Sequence, residues 1–270
     1  MNRPGGKSPS SPDIAAQREQ WLMDVRQRVA ETVASSLGPT VPDSILSVAM
    51  HSVMEQANSN IGMIEKNAES LRKRGQALPQ VVCKAGCDIC CFIRVRCSIP
   101  EALYIAENIR ANWTETQIDA LRQRIDENLS EFEGLSGKQK LNKMVPCPLL
   151  VDHQCSVHAV RPVACRAHHS TDIDACRRGF INPDQVQIPH YLDVDTVIAP
   201  VTAGIRSGII ASKLKDPGLL LPQALKVALT DPDAKAKWIA GDSLFDQAVD
   251  PDLKKLEEDE IRRRNLKLKF

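Results

Sequence analysis

A chain of 270 residues, 43% hydrophobic and 26% charged, is long enough for one or two packed domains, and its formal net charge of +1 carries no electrostatic footprint for nucleic acid or an anionic membrane surface. Aromatics make up only 4%, so Leu, Ile, Val and Ala from packed helices must fill most of the core. No run of about 18 apolar residues is present, and the most apolar stretch, Val197 to Ala211, is broken by Arg206, so no transmembrane helix is expected.

Residues 1–12 are expected to be a disordered N-terminus. Met1 to Asp13 is rich in Pro, Gly and Ser and lacks the apolar stretch of a secretory signal, so the expected location is cytoplasmic. Residues 13–80 read as N-terminal helices. The first runs from about Ile14 to Leu37 and is stopped by Gly38-Pro39. The second is capped by Asp43 or Ser44 and stopped by Gly75. Its apolar residues recur at Leu46, Met50, Val53, Ala57, Ile61, Ile64, Ala68 and Leu71, three or four apart, which makes one stripe along a long amphipathic helix. Such a stripe suits the core, or a protein partner or homodimer through the 44–74 helix.

Residues 81–180 read as a cysteine-cluster domain. From Val81 to Cys97 the helical period disappears. Pro100 and Glu101 then open a helix with Leu103, Ala106 and Ile109 on one side. Thr114 begins another, with Ile118, Leu121, Ile125, Leu129 and Phe132 in phase, ended by Gly134 and Gly137. From Cys147 to Cys176, Pro, His and Arg are frequent, and loops and short turns held by ligands are expected. Residues 181–250 form a C-terminal helical region, with helices over Asp195 to Ser212 and Leu219 to Leu229 and with Trp238 and Phe245 packing late. Residues 251–270 are a charged tail, read as a solvated helix, a frayed end or a partner-binding helix. The fold class is therefore mainly α: a helical protein with an irregular cysteine-rich metal-binding centre between helices.

Nine cysteines, an odd number without an export signal, argue against a disulfide framework and for metal binding or redox chemistry. The first group is Cys83, Cys87, Cys90 and Cys91. Thiolates three or four residues apart on a turn converge on one ion or cluster, and Gly86 lets the backbone fold tightly between them. The second group is Cys147, Cys155 and Cys165, with Pro148 and Pro162 stiffening the chain beside them. Soft thiolates favour zinc or iron, including an iron–sulfur cluster, over Mg²⁺ or Ca²⁺. A tetrahedral zinc or a cubane cluster wants four protein ligands. One site would leave three of these seven thiols spare, and two sites need an eighth ligand from His153, His168 or His169. Adjacent Cys90 and Cys91 do not readily point at one metal. Cys97 and Cys176 read as buried small hydrophobes. His51, His158 and His190 read as structural. Arg161 and Arg166 would bring positive charge to a thiolate-rich centre and hydrogen-bond to carbonyls, or else form surface ion pairs.

At these residues the chain resembles the YkgJ-like cysteine-cluster family of zinc- or iron-chelating proteins, whose pattern is C-x3-C-x2-C-C, then C-P-x-L, then C-x-I-Y-x-x-R-P-x-x-C-R. Cys83, Cys87, Cys90 and Cys91 match the first part, and Cys147, Pro148 and Leu150 the second. Cys155, Arg161, Pro162, Cys165 and Arg166 match the third. The likeness covers Val81 to His168, and Val157-His158 stands in place of the family's Ile-Tyr, which touches any tyrosine role but not the thiolates. The resemblance implies metal binding without implying one reaction. A flagellin lysine N-methylase carries a similar pattern, so a metal-cluster-dependent enzyme, such as a protein lysine N-methylase or another S-adenosylmethionine-dependent enzyme, is the first alternative. Cys83-x3-Cys87-x2-Cys90 has the three-cysteine spacing of radical S-adenosylmethionine enzymes, but the strand–helix alternation of their barrel is missing. A zinc-stapled protein-interaction module is the second alternative.

Overall fold

Two long helices begin the chain in this computed structural model, which describes residues 11–183, 185–250 and 255. The expectations for residues 1–10 and, Lys255 apart, for the 251–270 tail lie outside the described residues. Helix α1 (Ser11–Ser35) is followed by α2 (Asp43–Lys73). No side chain caps α2: Pro42 takes the cap position, and Asp43 instead pairs with Lys235 Nζ at 3.1 Å, correcting the expected Asp43 or Ser44 cap. Its C-terminus is as read. Gly75 adopts φ 85°, the Gln76 N–H donates to Leu71 O at 3.1 Å, and the Gly75 N–H donates to Arg72 O at 2.9 Å. That pair of bonds is the Schellman arrangement, which needs a residue tolerant of positive φ.

The chain then passes through the first cysteine loop, with a single 3₁₀ turn over Ile89–Phe92, into strand β1 (Arg96–Cys97). Helices α3 (Ile99–Asn112) and α4 (Glu115–Ser130) each start with a capping box, Ser98 with Glu101 and Thr114 with Gln117, so their N-termini satisfy their own amides. Gly134 follows α4 with φ 70°, but Gly137 opens a further short helix, α5 (Gly137–Asn142), rather than ending α4.

The second cysteine group is more regular than its composition suggests. Strands β2 (Leu150–Val151) and β3 (Gln154–Cys155) form a hairpin whose two turn residues, Asp152 and His153, have φ of 48° and 61°. Positive φ at both central positions matches the strand twist, and Asp is among the residues that tolerate it. A 3₁₀ turn (His158–Val160), α6 (Val163–Arg166) and α7 (Ile173–Ile181) follow. Helix α8 (Leu192–Ala211), β4 (Leu219–Leu220), α9 (Leu221–Thr230) and α10 (Ala234–Ile239) complete the order before a 3₁₀ turn over Leu244–Ala248. The four strands are two residues each and pair antiparallel, β1 with β4 and β2 with β3.

The most extensive helix pairing is α1 with α8, and α2 packs on α8, α3, α1 and α6. Leu46, Met50, Val53, Ala57, Ile61 and Ala68 are buried, so most of the α2 stripe is covered within this one chain. Trp238 and Phe245 are buried late in the chain, as expected. Segment Asp193–Ala211 of α8 is, by length and composition alone, apolar enough to cross a membrane, a test that the core helix of a soluble protein also passes, and 50% of its most apolar window is buried inside the protein.

The start of α3 is tied to the cysteine region by a buried carboxylate. Glu101 accepts from the Ser98 N–H at 2.7 Å and the Ser98 hydroxyl at 2.8 Å, and its other oxygen accepts from the Val163 N–H at 2.8 Å. Asp216 lies close by and accepts from the Ile99 N–H at 3.4 Å. Burial, then the charge of Glu101, pushes the Asp216 carboxyl up from 3.8 to about 6. Across that interval the folded chain holds a proton that the unfolded chain has released. Stability therefore falls as pH rises from about 4 to 6, by about 3 kcal/mol at most. Asp216→Asn, which keeps an acceptor for Ile99, should flatten that slope in urea titrations at pH 4, 5, 6 and 7. An unchanged slope would show that Asp216 is not its source.

Candidate metal centre

The two cysteine groups meet. The Cys147 N–H donates to Cys91 O at 2.8 Å, and the Val82 N–H donates to Ser170 O at 2.9 Å. Asp88 accepts from His153 Nδ1 at 2.8 Å, which pins the hairpin tip to the first cysteine loop. Within that loop Gly86 has φ 82°, and the Cys87 N–H closes a turn on Lys84 O at 3.0 Å, as the spacing anticipates.

Helix α4 and the arginine segment hold the second group in place. Asn128 Nδ2 donates to Pro146 O at 2.8 Å and Arg124 Nε to Pro148 O at 2.9 Å, one on each side of Cys147. Arg166 is buried, with 3% of its surface exposed. Its guanidinium donates to Ala159 O at 2.6 Å, to Arg161 O at 3.2 Å and to the Asn58 side chain of α2. It thus holds carbonyls around the turn between Cys155 and Cys165 instead of forming a surface ion pair. Arg161 Nη1 donates to His158 Nε2, while Arg161 Nε is buried without a partner.

The thiols form two overlapping sets. Cys165 is in electrostatic reach of Cys147, Cys155 and Cys90, and Cys155 of Cys90. Cys83 is in reach of Cys90, Cys87 and Cys176. Cys90 belongs to both sets and is hydrogen-bonded to its neighbour Cys91. Every cysteine is a free thiol. Cys97 and Cys176 are buried, as read. The proximity of Cys176 to Cys83 was missed in the sequence, because α7 sets it and no spacing signals it. Among the described residues, no three His, Cys, Asp or Glu side chains are drawn together as a metal-ligand group.

Backbone amides are aimed at these sulfurs. The Ser170 N–H donates to Cys83 Sγ at 3.3 Å. The Leu149 amide near Cys147 and the Val157 amide near Cys155, in each case two residues further on, act downward on those thiols. An N–H on sulfur favours thiolate over thiol. Burial works the other way, followed by repulsion among the sulfurs. It raises Cys147 to about 11 and lifts Cys155 and Cys165 as well. For Cys90 the hydrogen bond to Cys91 is the largest upward influence, with burial second. Arg161 pulls Cys90, Cys155 and Cys165 back down.

The histidines divide. His153 is engaged by Asp88 and exposed, and His51 Nδ1 meets the Tyr104 hydroxyl at 3.3 Å on α3. Burial lowers His168 to about 4, so its ring is neutral at neutral pH. His169 is also lowered by burial, and its Nδ1 has no partner. The three-cysteine run Cys83, Cys87, Cys90 does not sit on a strand–helix barrel: the strands among the described residues are too short and pair antiparallel.

No protein-family model, curated protein or solved structure matches this chain. The resemblance to the cysteine-cluster family therefore rests on the motifs alone.

Proposed function

We propose that this protein binds zinc or iron, the latter including an iron–sulfur cluster, through thiolates of both cysteine groups. Cys90, Cys147, Cys155 and Cys165 are the first ligand set. Cys83, Cys87 and Cys91 stand beside it as ligands of a second metal or as exchangeable partners of Cys90. The observation that carries this reading is the meeting of the two cysteine groups, where the Cys147 N–H donates to Cys91 O at 2.8 Å and the Ser170 N–H donates to Cys83 Sγ at 3.3 Å. An amide directed at sulfur stabilises the ligating form and fixes ligand orientation, as outer-shell donors do in metal sites. The same sulfurs repel one another and are poorly solvated as thiolates, and a bound cation removes both penalties at once. The donor set is all sulfur, which selects zinc, copper(I) or iron–sulfur chemistry over hard cations.

The test is metal and acid-labile sulfide content, with an absorption spectrum, on protein purified without oxygen. Stoichiometric zinc in colourless protein, or iron with sulfide in brown protein, is the expected result. Protein holding neither metal would refute the reading. Cys155→Ser and Cys165→Ser should each weaken binding by more than the roughly 10- to 100-fold carried by an outer-shell partner. Because ligation releases thiol protons, affinity should fall as pH is lowered.

A further inference from the structure

Helix α4 packs on α9, and α9 on the 3₁₀ turn over Leu244–Ala248, and an open cleft of about 520 Å³ lies between them. Leu129 of α4, Val227 of α9, and Leu244 and Ala248 of the turn give it apolar walls. The charged groups that border it are already engaged: Lys226 Nζ pairs with Asp126 at 2.7 Å, and Asp231 pairs with Lys237. The Thr230 hydroxyl donates within its own helix, to Lys226 O at 2.7 Å. By contrast, Oε1 of Gln223, in the first turn of α9, is buried with no hydrogen-bond partner. Gln223 borders the cleft and also a second, smaller cavity of about 30 Å³ whose wall includes Cys147. That smaller space has room for about two waters.

We propose that this cleft binds a neutral, largely apolar small molecule that donates an N–H or O–H hydrogen bond to Gln223 Oε1. Small-molecule sites of about 300–1,000 Å³ are lined mostly by apolar side chains, with a few polar groups that fix orientation, and this cleft has that size and make-up. An amide oxygen shut away from water has lost its hydration, so a donor brought to it is stabilised there. Because that oxygen accepts and cannot donate, it selects a ligand carrying N–H or O–H over one of the same shape without it. With Lys226 and Asp231 both paired, an ionic ligand would give up its hydration for no free counter-charge. The smaller cavity is too tight for such a molecule, whereas the cleft opens to solvent and needs no rearrangement for entry. No cysteine is among the residues lining the cleft, so the site stands or falls independently of metal binding.

The test titrates the full chain with indole, a neutral aromatic with a single N–H, and with 1-methylindole, which has nearly the same shape and no donor. Amide chemical shifts read both the affinity and the place of binding. Wild type, Gln223→Leu and Gln247→Trp are compared; Gln247 is exposed at the rim, so tryptophan there narrows the cleft without entering the core. The expected result is saturable shifts in α9 and the 3₁₀ turn with indole, at a Kd of about 1 mM for a probe of this size. Wild type should bind 1-methylindole about 3- to 10-fold more weakly, the loss of one hydrogen bond. In Gln223→Leu the two probes should bind alike, and in Gln247→Trp indole should bind at least about 10-fold more weakly than in wild type. No saturable indole binding to wild type, or shifts confined to other helices, would overturn the site. Equal affinity of wild type for the two probes would also overturn it and assign Gln223 Oε1 to water in the smaller cavity. Should Gln223→Leu lose helix content by circular dichroism, the two probes on wild type and Gln247→Trp still decide the outcome.

Discussion

Arg166→Leu should lower the unfolding free energy by about 3 kcal/mol and weaken the proposed metal binding along with it. Arg166 is 3% exposed and donates to Ala159 O, Arg161 O and Asn58. Leucine fills part of the space but donates nothing, and it leaves three part-buried acceptors without their charged donor, each at a cost of up to about 1–3 kcal/mol. The carbonyls concerned lie between Cys155 and Cys165, so the turn that sets the two sulfurs loses its anchor. Urea unfolding reads the first effect and zinc competition the second. Arg166→Lys, a point charge without the planar fork, should recover only part of each. A leucine variant as stable as wild type, with wild-type zinc affinity, would show that the network does not hold the site.

Replacing Gly204 and Gly208 together with alanine should destabilise the protein by about 2–4 kcal/mol, although alanine is the better helix former. A Cβ at Gly204 would lie 2.6 Å from Val29 Cβ and 2.8 Å from Arg26 O. One at Gly208 would lie 2.6 Å from Ala30 O and 2.8 Å from Val33 Cβ. Backbone carbonyls of α1 cannot turn aside, so the two helices must separate along their whole contact. Val25, Val29, Val33, Val201, Ile205 and Ile209, all buried there, would lose their packing. The midpoint of thermal unfolding should fall by about 5–10 °C for a chain of this size. Gly62→Ala on α2, where a Cβ meets nothing within 4 Å, should instead stabilise by up to about 1 kcal/mol. Equal signs for the two substitutions would contradict the close helix contact.

The helices were legible because their signals are local. The stripe from Leu46 to Ala68, the stop at Gly75, and the starts at Pro100 and Thr114 depend on neighbours within a few turns, and the structure follows them. Signals failed where a distant partner competed. Asp43 was expected to cap α2, but Lys235, nearly two hundred residues on, recruits it. Gly137 carries the mark of a helix stop yet begins α5, since Ser136 and Gln139 supply a capping box. The hairpin at Asp152-His153 escaped notice because its strands are two residues each, too short to show alternation.

The helical class, the separation of two cysteine groups by two helices, and the donor chemistry of those groups were determined by the sequence alone, because they follow from periodicity and from what sulfur can ligate. Only the tertiary structure decided that Cys90 lies between both thiol sets, that Cys176 approaches Cys83, and that His168 faces His190. Those relations come from segments brought together by buried surface and paired amides. Residue spacing along the chain carries no record of such contacts.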